Sequence, residues 1–478
     1  MDPSDPDAFA AWLVDATAVL ESLAAERGPL ARADRALAKR FLAAAGRVSA
    51  PDRAESRALG RAKRREDKVV ERETDRALLD RTGIRRARAN PIFETPRRSA
   101  SPPSPGPSPG ERSEAAVCYV CRAAYTKVHF FYDQLCEACG DFNWAKRHQT
   151  ADLTGRVALV TGGRVKIGYQ ACILLLRAGA RVVVTTRFPR DAAKRYLAEP
   201  DAAEWSDRLV IHGVDLRHTP SVEALCARLG SELDRLDFVI NNACQTVRRP
   251  PGFYDHLMVG ELGSDAPPAL VAADPFGPRA SAVLATTPLL PDDLHRGAHL
   301  FPDGALDADL QQVDLRKVNS WRLKMAEVPT VELLEVHLVN AVAPFVLNAR
   351  LKPLMARTPE RDKHIVNVSA MEGQFYRTHK TDRHPHTNMA KASLNMMTRT
   401  AAMDYIADGL HMNSVDTGWV TDEDPHDKAV EKTEMHGFHP PLDIVDGAAR
   451  IVDPIFDGLN TGRHVWGQFL KDYKPTDW

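Results

Sequence analysis

The chain has 478 residues, 44% of them apolar, and a formal net charge of −1. That length is too great for one ordinary domain, the apolar fraction supports a true core, and the charge balance removes any global pull toward nucleic acid or an anionic surface. The acidic start lacks the basic head and cleavage site of a secretory signal, and no apolar run reaches the roughly twenty residues of a bilayer span, so a cytosolic (cytoplasmic) protein without membrane contact is expected.

Residues 1–96 are expected to form a helical extension. In "FAAWLVDATAVLESLAA" and "RADRALAKRFLAAA" apolar residues recur at three- and four-residue steps, the period of a helix with one apolar face. Between Arg32 and Arg98 about twenty Lys and Arg stand against about ten Asp and Glu. Both signs interleave at helical spacing in "RALGRAKRREDKVVERETDRALLDRTG", which predicts a solvated, salt-bridged helix, with a nucleic-acid or partner surface as the rival reading. Residues 97–115, "RRSASPPSPGPSPGERSEA", read as a disordered linker with nothing to bury.

A cysteine module is expected over 116–150. Cys118 and Cys121 form one CxxC pair, Cys136 and Cys139 another, and fourteen residues separate the pairs. Two such turns can close a tetrahedral sulfur cage around Zn²⁺, and four protein ligands leave no open position, which favours a structural zinc over a catalytic one. His129 lies between the pairs and is a competing ligand candidate, with a bystander role the expectation. The knuckle runs almost directly into the next unit, so docking against that unit is expected, with nucleic-acid binding the alternative.

From 151 to 478 short β-rich apolar runs alternate with helical stretches, the pattern of a parallel sheet covered by helices. The expected fold class is therefore α/β: a Rossmann-type doubly wound parallel sheet carrying a small zinc knuckle and an N-terminal helical extension. An irregular Pro-, Ala- and Asp-rich insertion at about 249–322 interrupts it and predicts a lid, a binding loop or disorder. Within "GRVALVTGGRVKIGYQACILLLRAGARVVVTTR" the glycines 162, 163 and 168 fall between a strand and a helix. There they let backbone approach a pyrophosphate at a helix N-terminus, where free N–H groups and the helix dipole favour an anion.

Further signatures follow in order: Asp215 and Leu216 after the third strand, "NNAC" over Asn241, Asn242, Ala243 and Cys244, Asn340 in "HLVNAVAPF", the strand "HIVNVSA", Lys391, and "VDTGWVT" from Val415 to Thr421. With Thr161, Gly162 and Gly168 in the turn, residues from about 152 onward resemble the short-chain dehydrogenase/reductase family. The resemblance implies a nicotinamide dinucleotide held by Thr161, Gly162, Gly163, Arg164, Lys166, Ile167 and Gly168. It implies Asp215 and Leu216 at the adenine, Asn241, Asn242 and Ala243 along the wall, and Gly418 and Thr421 on the nicotinamide side. The middle glycine of the turn is replaced by Lys166, much as pteridine reductases carry a basic residue there. The second strand ends "VVTTR" without an acid to accept from a ribose hydroxyl. Arg187 stands where a 2′-phosphate needs a cation, and Arg164, Lys166 and Arg187 together predict NADP(H).

In the family so resembled a tyrosine delivers a proton, a lysine binds ribose and lowers the tyrosine pKa, a serine positions the substrate oxygen and an asparagine supports a proton relay. Asn340 and Lys391 match. Ala370 stands at the serine position, with Ser369 one residue earlier and expected to point the other way, and Thr387 stands at the tyrosine position. An aliphatic hydroxyl is far less acidic than a phenol, whose ordinary pKa is about 10. Tyr376, four residues before Lys380, is a displaced candidate donor of the kind enoyl reductases use; His384 and His386 are others. Trp321 is a candidate for the substrate side. The expected function is NADP(H)-dependent oxidoreduction of a small-molecule carbonyl, alcohol or activated C=C substrate with a non-standard proton donor. The rival readings are an inactive NADP(H)-binding sensor or scaffold and a nucleic-acid-associated zinc protein. A homo-oligomer through helices over 330–355 and 386–408 is what the resemblance implies, and nucleic acid is not an expected partner.

Overall fold

The structure is a computed structural model and describes residues 6–97, 103–263, 270–272, 280–295, 297–376 and 380–478. Its contacts divide into two units, residues 1–74 and 75–478. The boundary falls earlier than the 96 expected from composition, because Asp75 and the residues after it bond within the second unit: Arg85 Nε donates to Asp133 at 2.6 Å, and Asp75 accepts from Ser113 N at 2.8 Å.

The first unit is helical, as its periodicity requires: α1 (Pro6–Ala25), α2 (Gly28–Arg32), α3 (Arg35–Ser49) and α4 (Arg53–Asp80), which crosses the boundary. Asp34 accepts from Ala36 N and Leu37 N to cap α3. Asp52 and Glu55 form a reciprocal capping box at the start of α4. Two helical stretches among the described residues, Asp7–Ala25 and Thr330–Met355, are long and apolar enough to cross a membrane. This corrects the expectation that no run is. Alanine and scattered charges hide the first stretch in the sequence, and the second packs onto the sheet of the second unit.

In the second unit α5 (Gly83–Arg88) precedes an antiparallel pair, β1 (Glu111–Val117) and β2 (Ala124–Lys127), and α6 (Glu137–Arg147). The linker expectation fails from 103 onward. Trp144 Nε1 donates to Pro103 O, Ser108 Oγ donates to Val128 O, and β1 begins at Glu111. The segment has no large apolar side chain to bury, yet its backbone finds partners on the knuckle. Residues 98–102 lie outside the described part.

The main sheet takes β3 (Val157–Thr161), β4 (Arg181–Thr186), β5 (Leu209–Gly213), β6 (Phe238–Asn241), β7 (Lys363–Ser369), β8 (Leu410–Asp416), β9 (Phe469–Lys471) and β10 (Lys474–Thr476). Their order is β10-β9-β8-β7-β6-β3-β4-β5, all pairs parallel except β9 with β10. One face packs against α7 (Lys166–Arg177), α8 (Pro189–Leu197) and α16 (Ile444–Thr461). The other packs against α9 (Thr219–Glu232), α13 (Ala343–Met355) and α14 (Pro385–Ala407). Covering on both faces is why β3, β7 and β8 are buried at every position, β3 as a nearly continuous apolar run and β7 and β8 with their His, Asn and Ser residues buried as well. The insertion is more ordered than its sequence suggests. It contains α10 (Asp255–Leu262) and α11 (Ala280–Ala285), and Phe253, Tyr254, Leu257 and Phe301 form a core with Phe188. Residues 264–269, 273–279 and 296 of it are not described. Beyond it come α12 (Thr330–His337), a π-helical turn at Leu338–Val342 running into α13, and α15 (His426–His436).

Candidate active site

A cleft of about 430 Å³ opens along the carboxyl ends of the parallel strands. This is where the crossover pattern of an open α/β sheet leaves room for a ligand. Its floor is the turn from β3 into α7. Gly162 has φ +70°, and a Cβ there would come within 2.9 Å of Ala243 Cα. At Gly168 a Cβ would meet Asn242 Nδ2 at 2.2 Å and Gly162 O at 2.4 Å, so both positions exclude any side chain. Asn242 Nδ2 donates to Thr161 O and Gly162 O, and Ala243 N donates to Thr161 Oγ1 at 3.0 Å, which locks the turn against the end of β6. Gly163 packs inward: its carbonyl accepts from Tyr196 Oη. No side chain caps α7 at Val165, so its first N–H groups are left facing the cleft beside Ile167 and Gly168. Lys166 takes φ +55°, a conformation that suits the glycine it replaces and costs a side-chain-bearing residue roughly 1–2 kcal/mol.

The three predicted cations all border this cleft, in different states. Arg187 Nη2 donates to Tyr254 Oη at 2.8 Å, and its guanidinium lies over the Tyr254 ring at 4.7 Å. Arg164 is spoken for: Nη1 bonds Asp191 at 2.7 Å, beside Arg195 on the same carboxylate. Burial alone would raise the Asp191 carboxyl, yet the two guanidiniums hold it below the ordinary range. Arg164 therefore lends the cleft half of a shared charge rather than a free one, because α8 brings Asp191 against the turn. Asp215 and Leu216 line the cleft, with Asp215 held low, against the effect of burial, by Arg217 and then Arg187. Asn241 stays behind the wall, donating to Asn348 Oδ1 and Asn367 Oδ1.

At the other end stand Lys391, Ser369 and Ala370. Lys391 is buried on α14 and donates to Val368 O at 2.7 Å, using one of three ammonium protons. Ser369 corrects its expectation. It ends β7 on the face it shares with Asn367, which bonds Thr398 on α14. Its side chain thus faces the helix of Lys391, and its Oγ is buried without a partner. Thr387 is buried one turn before Lys391, also without a partner, but does not line the cleft. Asn340 sits in the π turn, where Oδ1 accepts from Gln245 N at 2.8 Å and Nδ2 donates to Gln245 O.

The remaining candidates are not brought to the cleft. Tyr376 is 95% exposed. His386 Nε2 pairs with Glu332 at 3.2 Å. His384 adopts φ 41° at the start of α14 and stacks on Trp321 at 3.8 Å, so Trp321 braces that loop instead of a substrate. Tyr376→Phe is therefore expected to leave any turnover within about twofold of the parent, checked by initial rates at saturating cofactor. Sequence reasoning missed what the insertion supplies: Arg249, Phe253 and Gln312 line the cleft. Its position directly after "NNAC" was the available signal.

On the far side of the "VDTGWVT" loop sits the cysteine module. Thr417 and Thr421 line the cleft, whereas Gly418, at φ +78°, faces the knuckle, where a Cβ would meet Leu442 at 2.5 Å. Tyr119 Oη accepts from Trp419 N at 2.9 Å. Docking is as expected: Tyr132 Oη donates to Asp446 at 2.6 Å, Lys146 pairs with Asp453 and Asp457, and Arg147 bridges Asp443 and Asp446. The four sulfurs lie within 4.8 Å of one another, with Cys121 and Cys136 at 3.6 Å. His129 stands outside the four-sulfur group, and its Nδ1 accepts from Phe131 N and Tyr132 N.

Residues 156–256 match the family profile described as short chain dehydrogenase, and residues 318–436 that described as enoyl-(acyl carrier protein) reductase. The chain is 32% identical over 379 residues to an uncharacterised protein of Acanthamoeba polyphaga mimivirus, covering 76% of each. It is 34% identical over 132 residues to a short chain dehydrogenase/reductase of Colletotrichum higginsianum, 26% of this chain and about a third (32%) of that one. A solved dehydrogenase/reductase from Sinorhizobium meliloti 1021 aligns with TM-score 0.44 and 19% identity over 67% of this chain and 94% of that one. Over residues 156–256 and 318–436, on either side of the insertion, the chain is similar to the short-chain dehydrogenase/reductase family, and the fold is the one those proteins share.

Proposed function

We propose that the chain is an NADP(H)-dependent oxidoreductase that exchanges hydride with a small carbonyl, alcohol or activated C=C substrate. One observation carries this reading: the side-chain-free turn, the open end of α7, Arg187 and Lys391 all border a single cleft. The residues suit the dinucleotide. Gly162 and Gly168 leave backbone contact as the only option at the turn, and Arg187 replaces the carboxylate that a ribose 2′-hydroxyl would need. When bound, the nicotinamide supplies or accepts the hydride. Lys391 keeps two protons for ribose hydroxyls or substrate oxygen, and the partnerless Ser369 hydroxyl can orient that oxygen. Thr387 is too weak an acid to replace a phenol. Water entering the cleft then balances the proton.

If Arg187 grips a 2′-phosphate, Arg187→Ala should weaken NADPH about 10- to 150-fold, the span of one charged hydrogen bond, and leave NADH within about threefold. Titration of nicotinamide fluorescence measures both. Equal losses for the two nucleotides would remove the NADP(H) assignment. The second reading, a cofactor-binding protein without turnover, draws on the exposure of Tyr376 and the buried Thr387. Binding of NADPH with no oxidation of it across a ketone, enone and pterin panel would favour that reading.

Zn²⁺ in the cysteine module belongs to the same proposal. Four thiolates on a tetrahedral zinc stand about 3.8 Å apart, close to the spacing between Cys121 and Cys136. A backbone hydrogen bond from Ala123 pulls the Cys121 thiol down to about 7. Cys118, Cys121, Cys136 and Cys139 fill every position of such an ion, leaving it a structural part.

A further inference from the structure

Opposite the cleft, at the amino ends of the same strands, three histidines meet. His364 is the second residue of β7 and His411 the second of β8, and the parallel register sets them side by side. His464 arrives from the segment between α16 and β9. One ring nitrogen from each lies within 4.8 Å of the others, and His364 Nε2 is 3.0 Å from His464 Nδ1. The approach needs Gly458 on α16, where a Cβ would sit 2.6 Å from His464 Nδ1 and 3.1 Å from His364 Nε2.

We propose that His364, His411 and His464 form a second divalent transition-metal site, one that takes Zn²⁺ or Co²⁺, separate from the four cysteines and at the opposite strand ends from the cofactor cleft. Three imidazoles are a complete protein ligand set for a four-coordinate ion whose last position goes to water. His464, the half-buried member, lies toward solvent, which gives that water a way in. His411 Nδ1 lies 3.1 Å from Lys363 O, and donating to that carbonyl leaves Nε2 as a lone-pair donor, the arrangement that orients metal-bound histidines. Tetrahedral nitrogen ligands stand about 3.3 Å apart, so the 3.0 Å pair needs to open by only a few tenths of an ångström.

The surroundings favour neutral rings. Burial, then the neighbouring histidines, holds His364 well below the ordinary imidazole range. Burial also lowers His411, against its hydrogen bond to Lys363 and the nearby Asp362 and with help from His464 and Arg361. The nearby lysine is occupied elsewhere: Lys363 Nζ donates to Met355 O and Thr358 O. His364 Nδ1 is buried with no partner, so this ring is not held in place by hydrogen bonds on both sides. An ion here would tie the chain that leads into β9 to the two central strands.

The test counts metal. Full-length protein purified from zinc-supplemented medium and gel-filtered is expected to carry one equivalent of zinc more than its His464→Ala variant, by atomic emission. His464 is half-buried, so its removal should spare the fold; His464→Gln is the second variant. After dialysis against a mild chelator that empties the three-imidazole site but leaves any thiolate-bound zinc, added Co²⁺ should give weak visible bands without a thiolate charge-transfer band, saturating at one equivalent and absent in both variants. Equal metal content in parent and variants, or no such bands in the parent, overturns the proposal. The comparison is a difference, so it does not depend on whether the cysteines hold zinc.

Discussion

Arg147→Ala is expected to lower the unfolding free energy by about 3–5 kcal/mol, the usual loss when one partner of a buried ion pair is removed. Arg147 Nη1 bonds Asp443 at 2.6 Å and Asp446 at 2.9 Å, Nη2 bonds Asp443 at 2.8 Å, and all three residues are buried. The carboxylates cannot simply turn to water. Asp443 caps α16 through Val445 N and Asp446 N, and Asp446 also accepts from Tyr132. Burial would raise Asp443, yet Arg147 holds it below the ordinary range. Stability from that carboxylate is therefore present above its unfolded pKa and fades as pH falls through the lowered folded value. In the variant the two acids lose the cation and titrate upward, so the deficit should be largest near neutrality and shrink toward about pH 4. Denaturant unfolding at two pH values measures this, with Arg147→Lys keeping part of the loss back. A deficit below about 1 kcal/mol at pH 7 would mean the interface is wet and the knuckle is not held by this contact.

Lys391→Ala carries the largest expected functional effect. The Lys391 ammonium lines the cleft together with Ser369 and Ala370. Its loss should cost a charged hydrogen bond of about 1.5–3 kcal/mol, or roughly 10- to 150-fold in NADPH affinity. Any turnover should fall further, by about 10²–10⁴-fold, since the same group acts on developing charge. Fluorescence titration separates the two losses from each other, and an unchanged far-ultraviolet spectrum guards against misfolding. Full retention of both properties would remove Lys391 from the site and leave the cleft without a polarising group.

Much of this was legible in the sequence where the chemistry is local. The turn at 162–168, the strand ends at Asp215 and Asn241 and the two CxxC pairs each announce themselves within a few residues, because backbone close approach and metal chelation demand fixed spacing. Features set by tertiary contact were not legible. Nothing near Arg164 shows that Asp191, twenty-seven residues on, will claim it. The facing of Ser369 depends on where β7 stops, and the meeting of His364 with His411 and His464 on strand register and a glycine in a distant helix. The insertion lacks periodicity, so its contribution of Arg249 and Phe253 to the cleft could not be read. The "linker" misled because composition reports side-chain burial and is blind to carbonyls that find donors.

The loop from Thr417 to Thr421 is clamped between two bodies, the cleft before it and the sulfur turn behind. Its left-handed glycine is shut in by Leu442 and Tyr119, so the loop has no slack of its own. Loosening of an exposed thiol such as Cys121 would thus be felt as a slackened wall of the cleft, long before the sheet itself gave way.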